Sequence, residues 1–259
     1  GTANPLNYTS TTTVYMPKFG VINVEKGAKL IVDGAKITNG CDAQWYGIKA
    51  YGDGVSPQNM IGGYYPNQGY VEIKNNGILS NAEEAFTNTG GSDSWNTGGI
   101  INANKGIFLN NRRSCQFIKY ENIIGSTLYR EKSKFIDCEF ILDANHYQPF
   151  GNHITMWAVR GIEISGCNFS NGMNLDQNHE QAIYTIDASF DVKSSGTNIS
   201  SFSSFYRAIA STSYSWANNS LFPISITGAS FSRNEISIQL ENMLYPTVVS
   251  NEIRVGAKQ

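Results

Sequence analysis

Ile162-Glu163-Ile164-Ser165-Gly166-Cys167-Asn168-Phe169-Ser170-Asn171 is the stretch that decides the fold, because the chain says it more than once. Leu30-Ile31-Val32-Asp33-Gly34-Ala35-Lys36-Ile37-Thr38-Asn39 and Ile224-Ser225-Ile226-Thr227-Gly228-Ala229-Ser230-Phe231-Ser232 follow the same grammar. The pattern is apolar, any, apolar, polar, Gly, small, any, Ile or Phe, then Ser or Thr. Ile162 and Ile164 lie two apart and face one side of an extended segment. Cys167 and Phe169 are also two apart but offset from Ile164 by an odd number. A bend at Ser165-Gly166 resets the parity and keeps both pairs pointing inward, and glycine suits it because it tolerates positive φ.

Anchoring on the Ile or Phe of the phrase gives Ile37, Ile78, Phe117, Phe140, Phe169, Phe190, Phe231 and Ile253. The steps Phe117–Phe140, Phe169–Phe190 and Phe231–Ile253 are 23, 21 and 22 residues, and the two steps of 41 are double units. A unit of roughly 22 residues repeated at fixed period is a solenoid whose rungs cannot bury a core alone. The Leu-x-x-Leu-x-Leu signature of leucine-rich repeats is absent, as is any 3.6-residue periodicity. The expectation is an all-β, single-stranded right-handed parallel β-helix over residues 14–259. It should have about ten to eleven coils (259 residues over roughly 23), with 1–13 as a polar lead-in or cap. Val248–Val255 reads as another rung with nothing polar and helical behind it. An open strand edge is normally covered, so the chain is expected to be a fragment with neighbouring domains in a longer protein.

Composition narrows the partners. The net charge is −2, charged residues are 15% of the chain, and no Lys/Arg run exceeds two. A nucleic-acid partner needs a basic stripe, so none is expected. Membrane insertion is not expected either, since no apolar stretch approaches the ~20 residues a spanning helix needs. Abundant Asn, Ser, Thr, Gly and Tyr suit an exported protein, secreted or at the cell surface.

Trp45-Tyr46-Gly47-Ile48, Gly98-Gly99-Ile100-Ile101, Phe108-Leu109-Asn110-Asn111-Arg112-Arg113-Ser114, His153-Ile154-Thr155-Met156-Trp157, Gly161 to Cys167 and Ala182 to Ala188 follow in that order. In that order the chain resembles the parallel β-helix region of large secreted or surface proteins of Bacteroidetes, of the kind exported by the type IX system. The resemblance spans roughly residues 20–255. It implies a pectate-lyase-like fold and an extracellular setting, and it implies no reaction.

Cys115-Gln116-Phe117, Cys138-Glu139-Phe140 and Cys167-Asn168-Phe169 place three thiols at the small inward position, where reduced core filler is expected. In-register Cβ vectors on neighbouring rungs run parallel and do not suit a disulfide. Cys41 stands alone, and no Cys-x-x-Cys spacing points to a metal. Asn39, Asn81, Asn111, Asn171, Asn234 and Asn251 follow the anchors and should bond along the coil and to the turn backbone.

Two functional classes stay open. The favoured one is a non-catalytic module, either an adhesive or glycan-contacting surface or a rigid spacer, with a polysaccharide or cell-surface glycan as partner. Trp45, Trp95, Trp157 and Trp216 are the candidate glycan contacts, since aromatic faces stack on sugar rings; the competing role is pinning loops to the coil. The alternative is a polysaccharide lyase or glycoside hydrolase acting on an acidic polysaccharide. Such an enzyme needs clustered carboxylates or a base beside them. Asp176, His179 and Glu180 form the best cluster, with Arg112 and Arg160 as cationic spots. No cofactor is required by either reading, and calcium is the one ion left open.

Overall fold

The computed structural model describes residues 5–89, 96–146, 149–173, 181–214 and 222–254. Its 28 strands form three long, wholly parallel sheets and one small hairpin, with no α-helix among the described residues. Strands visit the three sheets in strict rotation. Leu6–Tyr8, Thr13–Met16 and Val21–Val24 open sheets one, two and three; Lys29–Asp33, Lys36–Asn39 and Gly47–Ala50 follow above them. This is a parallel β-helix, as the repeated phrase requires.

Sheets one and two hold nine strands each and the third holds eight, so nine coils begin and eight are completed. That is fewer than the ten to eleven expected, because several coils carry long excursions. One of these, 118–133, contains the antiparallel pair Asn122–Ile124 and Thr127–Tyr129 and has no counterpart in the sequence reading. The first coil also starts earlier, since Leu6–Tyr8 pairs with Leu30–Val32 inside the segment read as a lead-in.

The inward files explain why the phrase recurs. On the second sheet, register links Val14, Ile37, Leu79, Phe108, Phe140, Phe169, Phe202, Phe231 and Ile253. Phe108, Phe140, Phe169, Phe202 and Phe231 are fully buried and stack face to face at 4.7, 4.4, 4.7 and 5.0 Å, with interplanar angles of 8° or less. Three anchors miss this file: Ile78 pairs with Lys36 and Ile107, so that its neighbour Leu79 points inward instead, and two others lie on different sheets. Phe117 lies on the third sheet and Phe190 on the first, while Phe108 and Phe202 take their places in the file. A short apolar segment carries no label for its sheet, and the excursions broke the count.

The bend works as expected. Gly34, Gly166 and Gly228 sit at φ 67°, 65° and 64° between sheets one and two. Each donates its N–H to the coil above: to Lys74 O at 2.9 Å, Lys193 O at 2.9 Å and Val249 O at 3.1 Å. Lys105 and Asp137 turn the same corner at φ 57° and 52°, donating to Ile136 O and Ser165 O. The corner thus needs a left-handed residue more than it needs glycine.

Cys138 and Cys167 occupy the small position just after this bend, below Ser200 and Ala229. Cys167 Sγ accepts Cys138 N–H at 3.4 Å, and Ser200 Oγ accepts Cys167 N–H at 3.2 Å. Cys115 does not belong to this row, since it lies on the third sheet against Ile154. Asparagines complete the corners by reaching into the coil below. Asn111 accepts Ala82 N–H and donates to Leu79 O, both at 2.9 Å. Asn234 does so with Phe205 and Phe202, and Asn251 with Ala229 and Ile226.

All four cysteines are free thiols; only Cys41 is exposed, and burial pushes the Cys115 and Cys167 thiols up. A thiol reagent should therefore label one cysteine in the native protein and four after denaturation. Fast native labelling of a second thiol would contradict the packing described.

Candidate functional site

The long excursions are not spread evenly around the coil. Connections from sheet one to sheet two stay short, the longest running over 194–200. Segments 51–69, 88–99, 118–133 and 213–224 all leave the third sheet towards the first, and 143–151 and 172–180 arrive at it from the second. The outer face of the third sheet therefore lies between the two edges at which the long connections of the chain fall. It is the candidate site.

Its strands are Val21–Val24, Gly47–Ala50, Glu84–Thr87, Arg113–Phe117, Asn152–Trp157, Gln181–Ile186, Arg207–Thr212 and Ile236–Glu241. Inward side chains such as Ile154, Ile183 and Ile209 are fully buried, so the alternate residues between them face out. Two outward rows run along the axis, one residue per coil, and a third row marks the edge of the strands. The middle row is Lys49, Thr87, Gln116, Thr155, Tyr184, Ala210 and Gln239. Two residues further along run Trp157, Ile186, Thr212 and Glu241, while Glu84, Arg113, Asn152, Gln181, Arg207 and Ile236 lie three residues back, beyond buried pairs such as His153-Ile154 and Ala182-Ile183, at the edge facing the second sheet. At the strand spacing of about 4.8 Å these rows form a polar ladder with aromatic steps.

Trp157 is 49% exposed and Tyr184 is partly exposed; neither makes a ring contact with another of the described residues. Because Thr155 pairs with Tyr184 and Trp157 with Ile186, the two aromatics are diagonal neighbours on adjacent coils. Towards the start of the chain the trough becomes charged. Tyr46, Lys49, Glu83 and Glu84 line a shallow recess there. Arg113 pairs with Glu84 at 2.6 Å and Arg112 with Glu83 at 3.5 Å.

The residues singled out from the sequence fare unevenly. Trp157 lies exposed on the outer face of the third sheet. Trp45 does not: it is fully buried, with Nε1 donating to Ser80 O at 2.8 Å, because its indole fills the corner between sheets two and three. Arg112 is held by Glu83. Arg160 is 3% exposed and donates through Nη1 to the carbonyls of Val159 and Asp187, bracing the opposite edge of the sheet, so the two arginines do not converge. Trp95, Trp216, Asp176, His179 and Glu180 lie outside the described residues. His146 and His153 are buried rather than surface bases. Burial pushes His153 down to about 3, and its ring sits among Phe140, Phe150, Phe169 and Phe205. No group of three or more His, Cys, Asp or Glu among the described residues is placed to hold a metal ion.

Tyr184, Gln181 and Arg207 escaped the sequence reading, although a signal was present. Asn152-His-Ile-Thr-Met-Trp157, Gln181-Ala-Ile-Tyr-Thr-Ile186, Arg207-Ala-Ile-Ala-Ser-Thr212 and Ile236-Ser-Ile-Gln-Leu-Glu241 align on their central isoleucines, Ile154, Ile183, Ile209 and Ile238. Their fourth and sixth residues mark the outward rows.

One edge of the trough is stitched by a buried carboxylate. Glu131, 6% exposed, accepts Gln58 Nε2 on both oxygens at 2.8 Å and Ser133 Oγ at 2.8 Å. Gln58 Nε2 also reaches Gly98 O at 3.0 Å, its Oε1 takes Lys132 N–H, and its backbone N–H donates to Asn122 Oδ1. Tyr120 OH donates to Ser56 O at 2.7 Å. Excursions 51–69, 88–99 and 118–133 are thereby tied into one body. Burial pushes the Glu131 carboxyl from 4.5 up to about 7, against the opposing hydrogen bonds of Gln58 and Ser133 and the charge of Lys132.

No family model matches the chain, and no curated protein matches it. Among solved structures it is similar to the Streptococcus pneumoniae surface protein and adhesin PfbA, at 11% identity, covering 94% of this chain and 91% of that one. The TM-score is 0.17, too low to relate the two molecules.

The clamp makes stability depend on pH with a definite sign. A carboxyl held near 7 when folded and near 4.5 when unfolded stabilises fully below about 4.5, and that contribution is lost as pH rises through 7. Its full size is on the order of 3 kcal/mol. Glu131→Gln should flatten the fall in unfolding midpoint between pH 5 and 8; an identical slope in both proteins would show that Glu131 is not the titrating group.

Proposed function

We propose that this β-helix is a non-catalytic binding module of an exported bacterial surface or secreted protein, and that the trough of its third sheet contacts a glycan. One observation carries the reading: Trp157 and Tyr184 stand outward on adjacent coils, without ring partners among the described residues, inside a face lined by amides and hydroxyls. An aromatic face offers a flat apolar surface to the C–H side of a sugar ring, while Gln116, Thr155, Gln181 and Thr212 can bond its hydroxyls. Nothing inside the coil calls for these aromatics to be exposed, since the core is filled by Phe and Ile. The rigid stack beneath favours binding, because few groups must be ordered when a ligand arrives. Low charge and abundance of Asn, Ser and Thr support the extracellular setting.

The test is binding of the purified protein to an array of bacterial, plant and host glycans, followed by titration of the best ligand. Trp157→Ala and Tyr184→Ala should each weaken binding by roughly tenfold, since a stacked base or sugar ring is worth about 1–3 kcal/mol by analogy with aromatic platforms. Thermal unfolding should be unchanged, as both side chains lie outside the core. Silence against every glycan would leave only a spacer. Release of unsaturated or reducing ends from an acidic polysaccharide would instead make the protein an enzyme.

A further inference from the structure

The clamp at the edge of the trough holds more than a carboxylate and its donors. The hydroxyl, the carboxylate and the amide of one acyl transfer meet there, brought together from excursions 51–69 and 118–133. Ser133 Oγ donates to Glu131 Oε1 at 2.8 Å, and Gln58 Nε2 donates to the same oxygen at 2.8 Å. The hydroxyl and the amide nitrogen therefore lie less than twice that distance apart, with one carboxylate touching both. Lys132 N–H donates to Gln58 Oε1 at 2.8 Å. Ile101 N–H donates to Ser133 Oγ at 3.1 Å and fixes the hydroxyl in place. Gln58 and Ser133 are each 1% exposed and Glu131 is 6% exposed, so bulk water is kept out.

Each part has a role in acyl exchange. A serine hydroxyl is a weak nucleophile until an adjacent base takes its proton. The Glu131 carboxyl, pushed up to about 7 by burial, is matched to accepting that proton near neutral pH and giving it up again. A backbone N–H on the carbonyl oxygen stabilises the charge that develops there in a tetrahedral intermediate, and Lys132 N–H holds that position against Gln58 Oε1. Glu131 forms no ion pair among the described residues, although a buried charge ordinarily requires one. A carboxyl that passes a proton between two neighbours needs no such partner.

We propose that Ser133 and Gln58 are the site of an intramolecular ester crosslink, formed through Glu131 without an external enzyme or cofactor. Glu131 takes the hydroxyl proton as the Oγ lone pair attacks Gln58 Cδ, and the carbonyl electron pair moves onto Oε1 beside Lys132 N–H. That pair returns to re-form the carbonyl, the Cδ–Nε2 bond breaks, and Glu131 delivers the proton to the departing nitrogen. The products are a Gln58–Ser133 ester and one ammonia, with Glu131 restored and nothing oxidised or reduced. The reaction requires a side-chain rotation that brings Oγ and Cδ to the ~3–3.5 Å of a near-attack approach. Escape of ammonia into dilute solution pulls the exchange forward, and exclusion of water protects the ester from hydrolysis. The bond fastens two excursions covalently in a chain whose four cysteines are all free thiols. It is independent of what the trough binds.

Mass spectrometry of the intact protein, followed by tryptic mapping at mildly acidic pH, tests it. After incubation at neutral pH the native chain should be lighter than its sequence by one ammonia. The peptide Ala50–Lys74 should carry the dipeptide Ser133-Lys134, and mild alkali should release the dipeptide and leave Gln58 converted to a glutamate. Ser133→Ala and Glu131→Gln should each show the full mass of their own sequence, whereas Ser133→Thr, which keeps a hydroxyl, should retain the joined peptide. Asn39-Gly40, Asn76-Gly77 and Asn171-Gly172 can also lose ammonia by cyclising, so the deficit counts only where the two peptides are joined. Full mass with separate peptides in the native protein, or a deficit confined to an Asn-Gly pair, would overturn the crosslink. A joined peptide that forms equally in Glu131→Gln would overturn the role given to Glu131. The native measurement decides the crosslink whether or not a variant folds.

Discussion

Every feature of this molecule depends on in-register stacking of inward side chains from coil to coil. One rung buries too little apolar surface to offset its ordering entropy, at ~1–2 kcal/mol per residue. It becomes stable only when the rung above covers the same file. The five phenyl rings from Phe108 to Phe231 show the constraint most plainly, because their separations of 4.4–5.0 Å follow the spacing of the strands that carry them. A one-residue slip in any strand would turn its ring out to water. The corners enforce the register independently. Left-handed residues such as Gly166 and Asp137 donate upward at the corner between sheets one and two, where Asn251 reaches downward, while Asn111 and Asn234 reach downward at the corner between sheets two and three.

That rigidity frees the third sheet for another task. With the core satisfied from within, outward rows carry no packing duty, and the residues found there include amides, hydroxyls, exposed aromatics and the Arg113–Glu84 ion pair. The excursions leave the coil along the edges of this sheet while the junction between sheets one and two stays tight. Glu131 and Gln58 show that one such edge is built and not merely tolerated, since a buried carboxylate is kept where it can tie three successive excursions together.

The coil was legible because the phrase around Gly34, Gly166 and Gly228 encodes a parity reset that only an inward-facing bend explains. Its failures have physical causes. Phe117 and Phe190 are inward residues, but burial is shared by all three sheets and does not name one. Trp45 looked like a surface aromatic because it follows a polar stretch, yet a corner wide enough for an indole took it into the core. Arg160 looked like a catalytic cation, but two backbone carbonyls at a turn claim it. The trough was legible only in part. Trp157 could be picked from its type, whereas Tyr184, Gln181 and Arg207 gain meaning only through the register that sets them side by side, and register here is decided between residues 26–29 apart in sequence.

A double-mutant cycle on the phenyl file tests the stacked coil most directly. Phe140→Ala and Phe169→Ala, whose rings lie 4.4 Å apart, should couple by about 0.5–1.5 kcal/mol in chemical unfolding. Phe140→Ala and Phe231→Ala, three coils apart in the same file, should be additive to within about 0.5 kcal/mol. Additivity in the first pair, or equal coupling in both, would contradict a core built from rings stacked rung upon rung.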